Sequence, residues 1–358
     1  MEQFQSKLAL CQWLNQFQDP LLAAQWSESA GIVSVLASGR VKISLPFACQ
    51  ELADKLSLWL SQQIEQGEVA AFDYTIEIDV AALETTVNAA VKGVKNIIAV
   101  TSAKGGVGKS TTAVNIALAL SAIGGKVGLL DADIYGPSIP LMLGRLDSTP
   151  GVRDNKWMQP IEAHGLYSNS IGYLVDKEEA AIWRGPMASK ALSQLLNETE
   201  WPDLDYLVID MPPGTGDIQL TLSQQIPVTG AIIVTTPQDL ALADARKGAA
   251  MLEKVSVPVV GVVENMSYHV CSHCGHQEAI FGHGGAEKMA QDYGLSLLGQ
   301  IPLHLQLRED IDNGTPSVVA RPDSEHAEQY RALAAQVVSQ LYWQGKPKPK
   351  AIDIMAID

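Results

Sequence analysis

Cysteine is scarce in this 358-residue chain: the four present, Cys11, Cys49, Cys271 and Cys274, are too few for a disulfide framework. Basic residues are also short, 25 Lys and Arg against 40 Asp and Glu. The net charge of -15 disfavours nucleic acid and anionic lipid as partners. No apolar run approaches the roughly 18 to 20 residues that cross a bilayer, and Met1 to Trp13 lacks a charged-then-apolar signal organisation. A cytoplasmic protein is expected. No internal repeat shows. Only 18% of residues are charged while 47% are hydrophobic, which excludes disorder for most of the chain and leaves room for one large domain or two. Two of the four cysteines share one Cys-x-x-Cys, so metal, cluster or redox chemistry is the open question.

Residues 1–80 read as a small α+β domain. An apolar-periodic start is followed by strands at Gly31–Ala37 and Arg40–Leu45, a helix at Gln50–Glu65 and an alternating strand at Tyr74–Val80. Ser38-Gly39 reads as a two-residue turn between the first two strands. Residues 81–95 form a small-residue linker in which Gly93 marks a change of pattern. Residues 96–343 then carry short continuous apolar runs at Ile97–Val100, Val127–Leu130, Tyr206–Ile209, Ala231–Val234 and Val257–Val263. Runs without alternation suit strands buried on both faces, and helical spacings such as Ala113, Ile116, Ala117, Leu120 separate them. The expected architecture is α/β, a mostly parallel sheet covered by helices on both faces, with ligands beyond the carboxyl ends of the strands. Residues 344–358 form a tail whose Lys346-Pro347-Lys348-Pro349-Lys350 reads as extended and solvated.

Directly after the first of these strands stands Ala103-Lys104-Gly105-Gly106-Val107-Gly108-Lys109-Ser110-Thr111, followed by a helix. Strand, glycine loop, Lys-Ser and helix are the context of a P-loop, in which backbone N–H groups and a helix N-terminus surround phosphate oxygens. Lys109 is expected to bridge the β- and γ-phosphates of ATP, and Ser110 to hold Mg²⁺. Ala103 replaces the usual first glycine, which is tolerable only at negative φ. Asp131 and Asp133 follow the next strand at alternate positions, so both carboxylates can face the phosphates. Asp210 ends the strand Tyr206–Ile209 and precedes the loop Pro212-Pro213-Gly214-Thr215-Gly216-Asp217. Each aspartate read singly is equally a helix cap or turn former. Asn265, in Glu264-Asn265-Met266-Ser267 at the end of a strand, is placed to hydrogen-bond a purine edge. No guanine-type Asn-Lys-x-Asp occurs there, so adenine is favoured by analogy.

Cys271 and Cys274 lie in Tyr268-His269-Val270-Cys271-Ser272-His273-Cys274-Gly275-His276. Two thiolates can grip one soft metal centre in a tight loop, yet one pair is half a site. Either His276 or His283 completes a zinc knuckle within the chain, or a second subunit brings its own pair. Cys49 and Cys11 read as buried core residues, Cys11 the more firmly so.

Lys104, the second lysine of the loop, resembles the signature lysine of the deviant Walker A ATPases, the MinD/ParA-like P-loop NTPases. That resemblance implies a homodimer in which Lys104 reaches the partner's phosphates. The wider constellation resembles the Mrp/ApbC/NBP35 family of iron-sulfur cluster carrier ATPases, in its bacterial Mrp-type form with an N-terminal extension. The likeness runs through Ser102–Thr112, Asp131–Ser138, Trp183-Arg184-Gly185-Pro186-Met187, Asp205–Leu222, Thr235-Thr236-Pro237-Gln238 and Glu264–Ser267. It continues through the Cys271/Cys274 loop with Ile280-Phe281-Gly282 and ends at Leu298–Leu303.

The resemblance implies a water-directing switch I role for Asp133, a magnesium-shell role for Asp131, a Walker B role for Asp210, and a γ-phosphate-sensing N–H at Gly214. It implies further that Cys271 and Cys274 are cluster ligands, that a homodimer bridges a [4Fe-4S] cluster, and that the cluster passes to apoproteins while slow ATP hydrolysis gates the process. No nucleic acid or membrane partner is expected. The N-terminal part is similar to the MIP18-type domain through Asp19-Pro20, Gly31-Ile32-Val33 and Pro46-Phe47-Ala48-Cys49, and Cys49 sits where some such domains carry a functional cysteine, the alternative to its reading as a core residue. The competing readings are a partitioning or positioning ATPase of the ParA/MinD kind, a zinc interaction module in a degenerate NTPase, and a redox dithiol. Intact Lys109, Ser110, Asp133 and Asp210 argue against degeneracy, and Ser272-His273 reads as loop where a redox pair needs a helix N-terminus.

Overall fold

The computed structural model describes residues 4–87, 89–175 and 185–349. Trp183 and Arg184 of the motif at 183–187, and the end of the tail from Lys350 to Asp358, lie outside the described residues.

The first helix, α1 (Lys7–Leu14), starts at Ser6, whose hydroxyl accepts a hydrogen bond from the N–H of Ala9 at 3.1 Å. Strands β1 (Val33–Val35) and β2 (Val41–Leu45) pair antiparallel, and β3 (Tyr74–Ile78) returns parallel to β2 after α2 (Gln50–Glu65). Helix α2 turns Leu52, Ala53, Leu56 and Leu60 inward, the spacing of one helical face. The expected two-residue turn at Ser38-Gly39 is instead a longer loop. Leu36 N–H donates to Arg40 O, Gly39 N–H donates to Leu36 O, and Gly39 sits at φ +83°. A glycine in left-handed conformation after a tight turn lengthens a hairpin loop by one residue.

The large sheet is built from β4 (Val94–Thr101), β5 (Val127–Asp131), β8 (Ile161–Ala163), β9 (Leu166–Ser170), β10 (Leu204–Asp210), β11 (Gly230–Thr235), β12 (Val259–Val270), β13 (Gln277–Glu278) and β14 (Leu297–Leu303). A separate ribbon, β6 (Val152–Arg153) with β7 (Trp157–Met158), lies outside it. The order is β13-β12-β11-β4-β10-β5-β9-β8, with β14 also beside β12. Pairings are parallel from β14 through β12 to β9, and antiparallel where β8 and β13 attach.

The apolar runs are continuous because alternate residues feed two cores. Ile98, Val100, Val208 and Ile232 pack with α3 (Lys109–Ala122) and α11 (Glu325–Gln344) on one face. Ile97, Ala99, Leu207, Ile209 and Ile233 pack on the other with α5 (Gly185–Asn197), α6 (Asp217–Gln225), α7 (Asp239–Lys254) and α8 (Gly285–Asp292). Shorter helices α4 (Ile139–Met142), α9 (Leu305–Asp312) and α10 (Ser317–Ala320) close the first face.

The N-terminal residues share that first core: Leu10, Trp26 and Phe47 join one hydrophobic cluster with Ala117, Tyr206 and Leu341. Polar contacts fix the join. Ala48 N–H donates to the Tyr206 hydroxyl at 3.2 Å, and Gln50 N–H donates to Ile123 O at 3.1 Å. Ser339 and Trp343 both donate to Leu21 O, at 2.7 and 2.9 Å. Tyr206 stands near the start of β10 and Ile123 just past the end of α3, so this module sits at the end of the sheet opposite the glycine loop. Leu83 N–H donates to the buried Asn96 side chain, Leu83 bridges to Pro347, and β4 already begins at Val94.

Candidate functional site

The glycine loop occupies the turn between β4 and α3. Gly106 and Gly108 adopt φ +82° and +81°, conformations that a side chain would strain, and these turns let the backbone fold over toward the start of α3. Ala103 is not among the residues at positive φ, which is how an alanine fits where a glycine was expected. Lys104, Gly105 and Gly106 are exposed, while Val107 and Lys109 are buried.

Lys109 and Asp210 form the charged centre. Lys109 Nζ lies 2.5 Å from Asp210 Oδ1 and 3.1 Å from Ser110 Oγ, and both charged side chains are almost fully enclosed. Burial raises the Asp210 carboxyl above the ordinary range, against the opposing pull of Lys109. Its second oxygen, Oδ2, is buried without a hydrogen-bond partner among the described residues. Asp131 is the register partner of Asp210 across the β5–β10 pairing. It accepts from the N–H groups of Asp133, Ser138 and Ile139 and from the Ser170 hydroxyl, at 3.0 to 3.2 Å. Burial, and next the charge of Asp210, push its carboxyl up to about 7. Asp133 is half-buried and is raised by burial, with Lys109 pulling it down and Asp210 pushing it up. Gly214, at φ +104°, donates its N–H to Ser102 O at 2.9 Å.

Lys104, Lys109, Ser110, Asp131, Asp133, Asp210 and Gly214 therefore lie around one strand-end cradle. A triphosphate with Mg²⁺ fits this donor set: left-handed glycines, the N-terminus of a 14-residue helix, a buried lysine, and a buried carboxylate oxygen with no hydrogen-bond partner among the described residues. Lys109, Ser110 and Asp210 are the residues placed to meet such a ligand. Sequence reasoning gave no role to two further polar groups in the adjoining segments. Gln219 donates to the Thr101 hydroxyl and leaves Oε1 without a partner among the described residues, and the buried Thr236 hydroxyl is likewise without one. Their signal in the sequence was a polar residue where the pattern asks for an apolar one.

Asn265 lies against the loop rather than apart from it. Its amide nitrogen donates to Val107 O at 2.8 Å, and a Cβ added at Gly108 would fall inside that amide. The strand expected to end near Val263 continues to Val270, absorbing Glu264–Ser267. Glu264, to which sequence reasoning gave no role, is fully buried and accepts from Ser267 Oγ, Ala286 N–H and Gln300 Nε2 at 2.6, 3.0 and 2.9 Å.

Past Val270 the chain enters a tight hairpin. His269 and Val270 pair with Glu278 and Gln277, Cys271 N–H donates to His276 O at 2.9 Å, and Gly275, at φ +70°, donates back to Cys271 O at 2.8 Å. Cys271 is half-buried and Cys274 exposed, and residues 272–280 are all exposed. The N–H of His273, then that of Cys274, hold the Cys271 thiol below its ordinary pKa. His276 and His283 are exposed. Among the described residues no group of three or more His, Cys, Asp or Glu is placed to hold a metal ion. Cys11 and Cys49 are buried, and burial raises both thiols.

The family model described as the ParA group's NUBPL iron-transfer P-loop NTPase matches residues 93–338. The iron-sulfur cluster carrier protein of Escherichia coli strain K12 is 59% identical over 319 residues, covering 88% of this chain and 86% of the relative. The protein of the same description from Haemophilus influenzae is 56% identical over 346 residues, 95% and 94% of the two chains. Among solved structures, a nucleotide-binding protein of Archaeoglobus fulgidus in complex with ADP superposes with a TM-score of 0.58 at 36% identity, covering 66% of this chain and 93% of its own. The P-loop NTPase fold and the family expected from the motifs are thus both found. The chain belongs to the iron-transfer P-loop NTPases of the ParA group.

Proposed function

We propose that this protein is an iron-sulfur cluster carrier of the cytoplasm, whose cargo is a [4Fe-4S] cluster held between two copies of the chain and passed to apoproteins under the control of ATP. The observation that carries the reading is the hairpin of Cys271 and Cys274. It offers one half-buried and one exposed thiol at the end of a strand that has just touched the phosphate loop. A [4Fe-4S] cluster takes about four protein ligands, and a twofold axis doubles one pair into four. The relatives' description as iron-sulfur cluster carriers supports this reading over a partitioning ATPase, as does the net charge of -15.

In this reading ATP with Mg²⁺ occupies residues 103–111. Lys109 would leave Asp210 to neutralise the β- and γ-phosphates, Ser110 would hold Mg²⁺, and Asp131 and Asp210 would support the ion, which would supply charge neutralisation. Asp133 orients the attacking water, Gly214 exchanges Ser102 O for a γ-phosphate oxygen, and Lys104 reaches the partner's phosphates. Hydrolysis is slow because it gates binding and release rather than supplying flux. Asn265 meets adenine with the side of its carboxamide that the loop leaves free.

The test is transfer. Protein loaded anaerobically and mixed with an apoenzyme that needs a [4Fe-4S] cluster restores that enzyme's activity. Cys271→Ala or Cys274→Ala carrier restores none, and Lys109→Ala alters the rate. Equal recovery with the cysteine variants would overturn the proposal.

A further inference from the structure

Two neighbouring side chains on β12 connect the phosphate loop to the cysteine hairpin, which lies at the far end of the same strand. Asn265 Nδ2 holds the carbonyl of Val107, the peptide between the two left-handed glycines Gly106 and Gly108. Its amide is seated so closely against Gly108 that no methyl group fits between them. Any rotation of the Val107–Gly108 peptide therefore moves an acceptor that Asn265 must follow.

Glu264 precedes it and binds the opposite side of the structure. One carboxylate oxygen takes the Ser267 hydroxyl and the Gln300 amide, and the other takes Ala286 N–H at the start of α8. Ser267 leads into the hairpin and Ala286 follows it, so Glu264 clasps both ends of the segment that carries Cys271 and Cys274. Directly after these two braces, on the way to the hairpin, the strand is kinked. Met266 adopts φ +54°, and the pairing of β12 with β14 slips between Asn265 and His269. A left-handed residue with a β-type neighbour on each side is a natural pivot. A buried carboxylate with three donors is a rigid handle, since releasing any one of them leaves charge uncompensated.

We propose that Glu264 and Asn265 are positioning residues that couple nucleotide occupancy of the phosphate loop to the placement of the Cys271/Cys274 hairpin, with Met266 as the pivot. The coupling rests on the reading of residues 103–111 as the nucleotide site, and it is independent of whether the cargo is a cluster. Neither residue meets the reacting atoms in this role: Asn265 reports the loop's conformation, and Glu264 turns that report into a shift of both hairpin ends.

The experiment reads Cys271 in the metal-free, full-length protein. Its alkylation rate is measured without nucleotide and with a saturating non-hydrolysable ATP analogue plus Mg²⁺. The wild type is expected to change rate by about fivefold or more, the low end of ordinary allosteric coupling. Glu264→Gln is expected to bind the analogue as wild type does yet show a ratio near one. Asn265→Asp, which sets an acceptor against the Val107 carbonyl, should also give a ratio near one once saturated. Should Glu264→Gln fail to fold, Ser267→Ala removes one donor from the same carboxylate and should lower the ratio. A wild-type ratio of one, or an unchanged ratio in Glu264→Gln or Ser267→Ala at full occupancy, would overturn the proposal. A protein that shows the coupling but takes up no cluster would sink the carrier reading and leave this one standing.

Discussion

Lys109 Nζ and Asp210 Oδ1 meet at 2.5 Å in a pocket that leaves the lysine 6% and the aspartate 0% exposed, although 101 residues separate them in the chain. The lysine is thereby held on a buried carboxylate, and in the proposed function incoming phosphate would compete with Asp210 for it. Removing one member of a buried pair strands the other charge, at a cost of about 3 to 5 kcal/mol. Lys109→Met is therefore expected to lower unfolding stability by that amount in urea titrations. The double variant Lys109→Met with Asp210→Asn is expected to recover most of it. Additive losses in the double variant would show that the pair is not coupled.

Asp131 supplies a pH dependence. Its carboxyl is pushed up to about 7 by burial and the Asp210 charge, from an ordinary value of 3.8. Between those values the unfolded chain has released the proton that the folded protein keeps. Stability from this group therefore falls as pH rises through the window, by up to about 1.4 kcal/mol per pH unit, and levels off above it. Asp131→Asn is expected to flatten the decline in Tm of the nucleotide-free protein between pH 4.5 and 7.5. Parallel curves for the two proteins would contradict the assignment.

The four thiols divide by burial. In the native, metal-free protein at pH 7.5, alkylation is expected to label Cys271 and Cys274 at once and to reach Cys11 and Cys49 only after unfolding. The hairpin N–H groups favour the Cys271 thiolate, so its labelling should persist to lower pH than that of an ordinary thiol. Mass spectrometry of partly labelled protein reads this directly, and early labelling of Cys49 would break the scheme.

Lys104 is exposed in the single chain. Lys104→Ala is expected to leave stability within about 0.5 kcal/mol, as for most surface substitutions. By light scattering the unaltered protein is expected to rise in mass when ATP is added, and Lys104→Ala to show no such rise. A variant that still dimerises with ATP would remove the proposed reach across the interface.

How much of this was legible in the sequence depended on whether a signal was local. The runs at Ile97–Val100 and Tyr206–Ile209 announced strands covered on both faces, because burial on two sides erases alternation. The glycine loop and the Cys-x-x-Cys were visible as motifs because each packs into nine residues or fewer. What pairs at long range was not. Nothing near Asn265 indicates that its amide braces Val107, 158 residues away. The length of β12 was hidden because Glu264, Asn265 and Ser267 are polar yet buried: Glu264 is satisfied from α8 and β14, Asn265 by the phosphate loop, and Ser267 by Glu264 itself. The hairpin at Gly39 was misjudged by one residue, since the dipeptide Ser38-Gly39 suits both loop lengths and only the pairing of Leu36 with Arg40 decides.

The most direct trial of the central claim is iron and sulfide analysis with Mössbauer spectra on the anaerobically loaded protein, read beside its mass in solution. The account predicts a brown dimer with about four irons per two chains, which Cys271→Ser reduces to a colourless monomer. A colourless wild-type monomer retaining one tightly held zinc ion would contradict it.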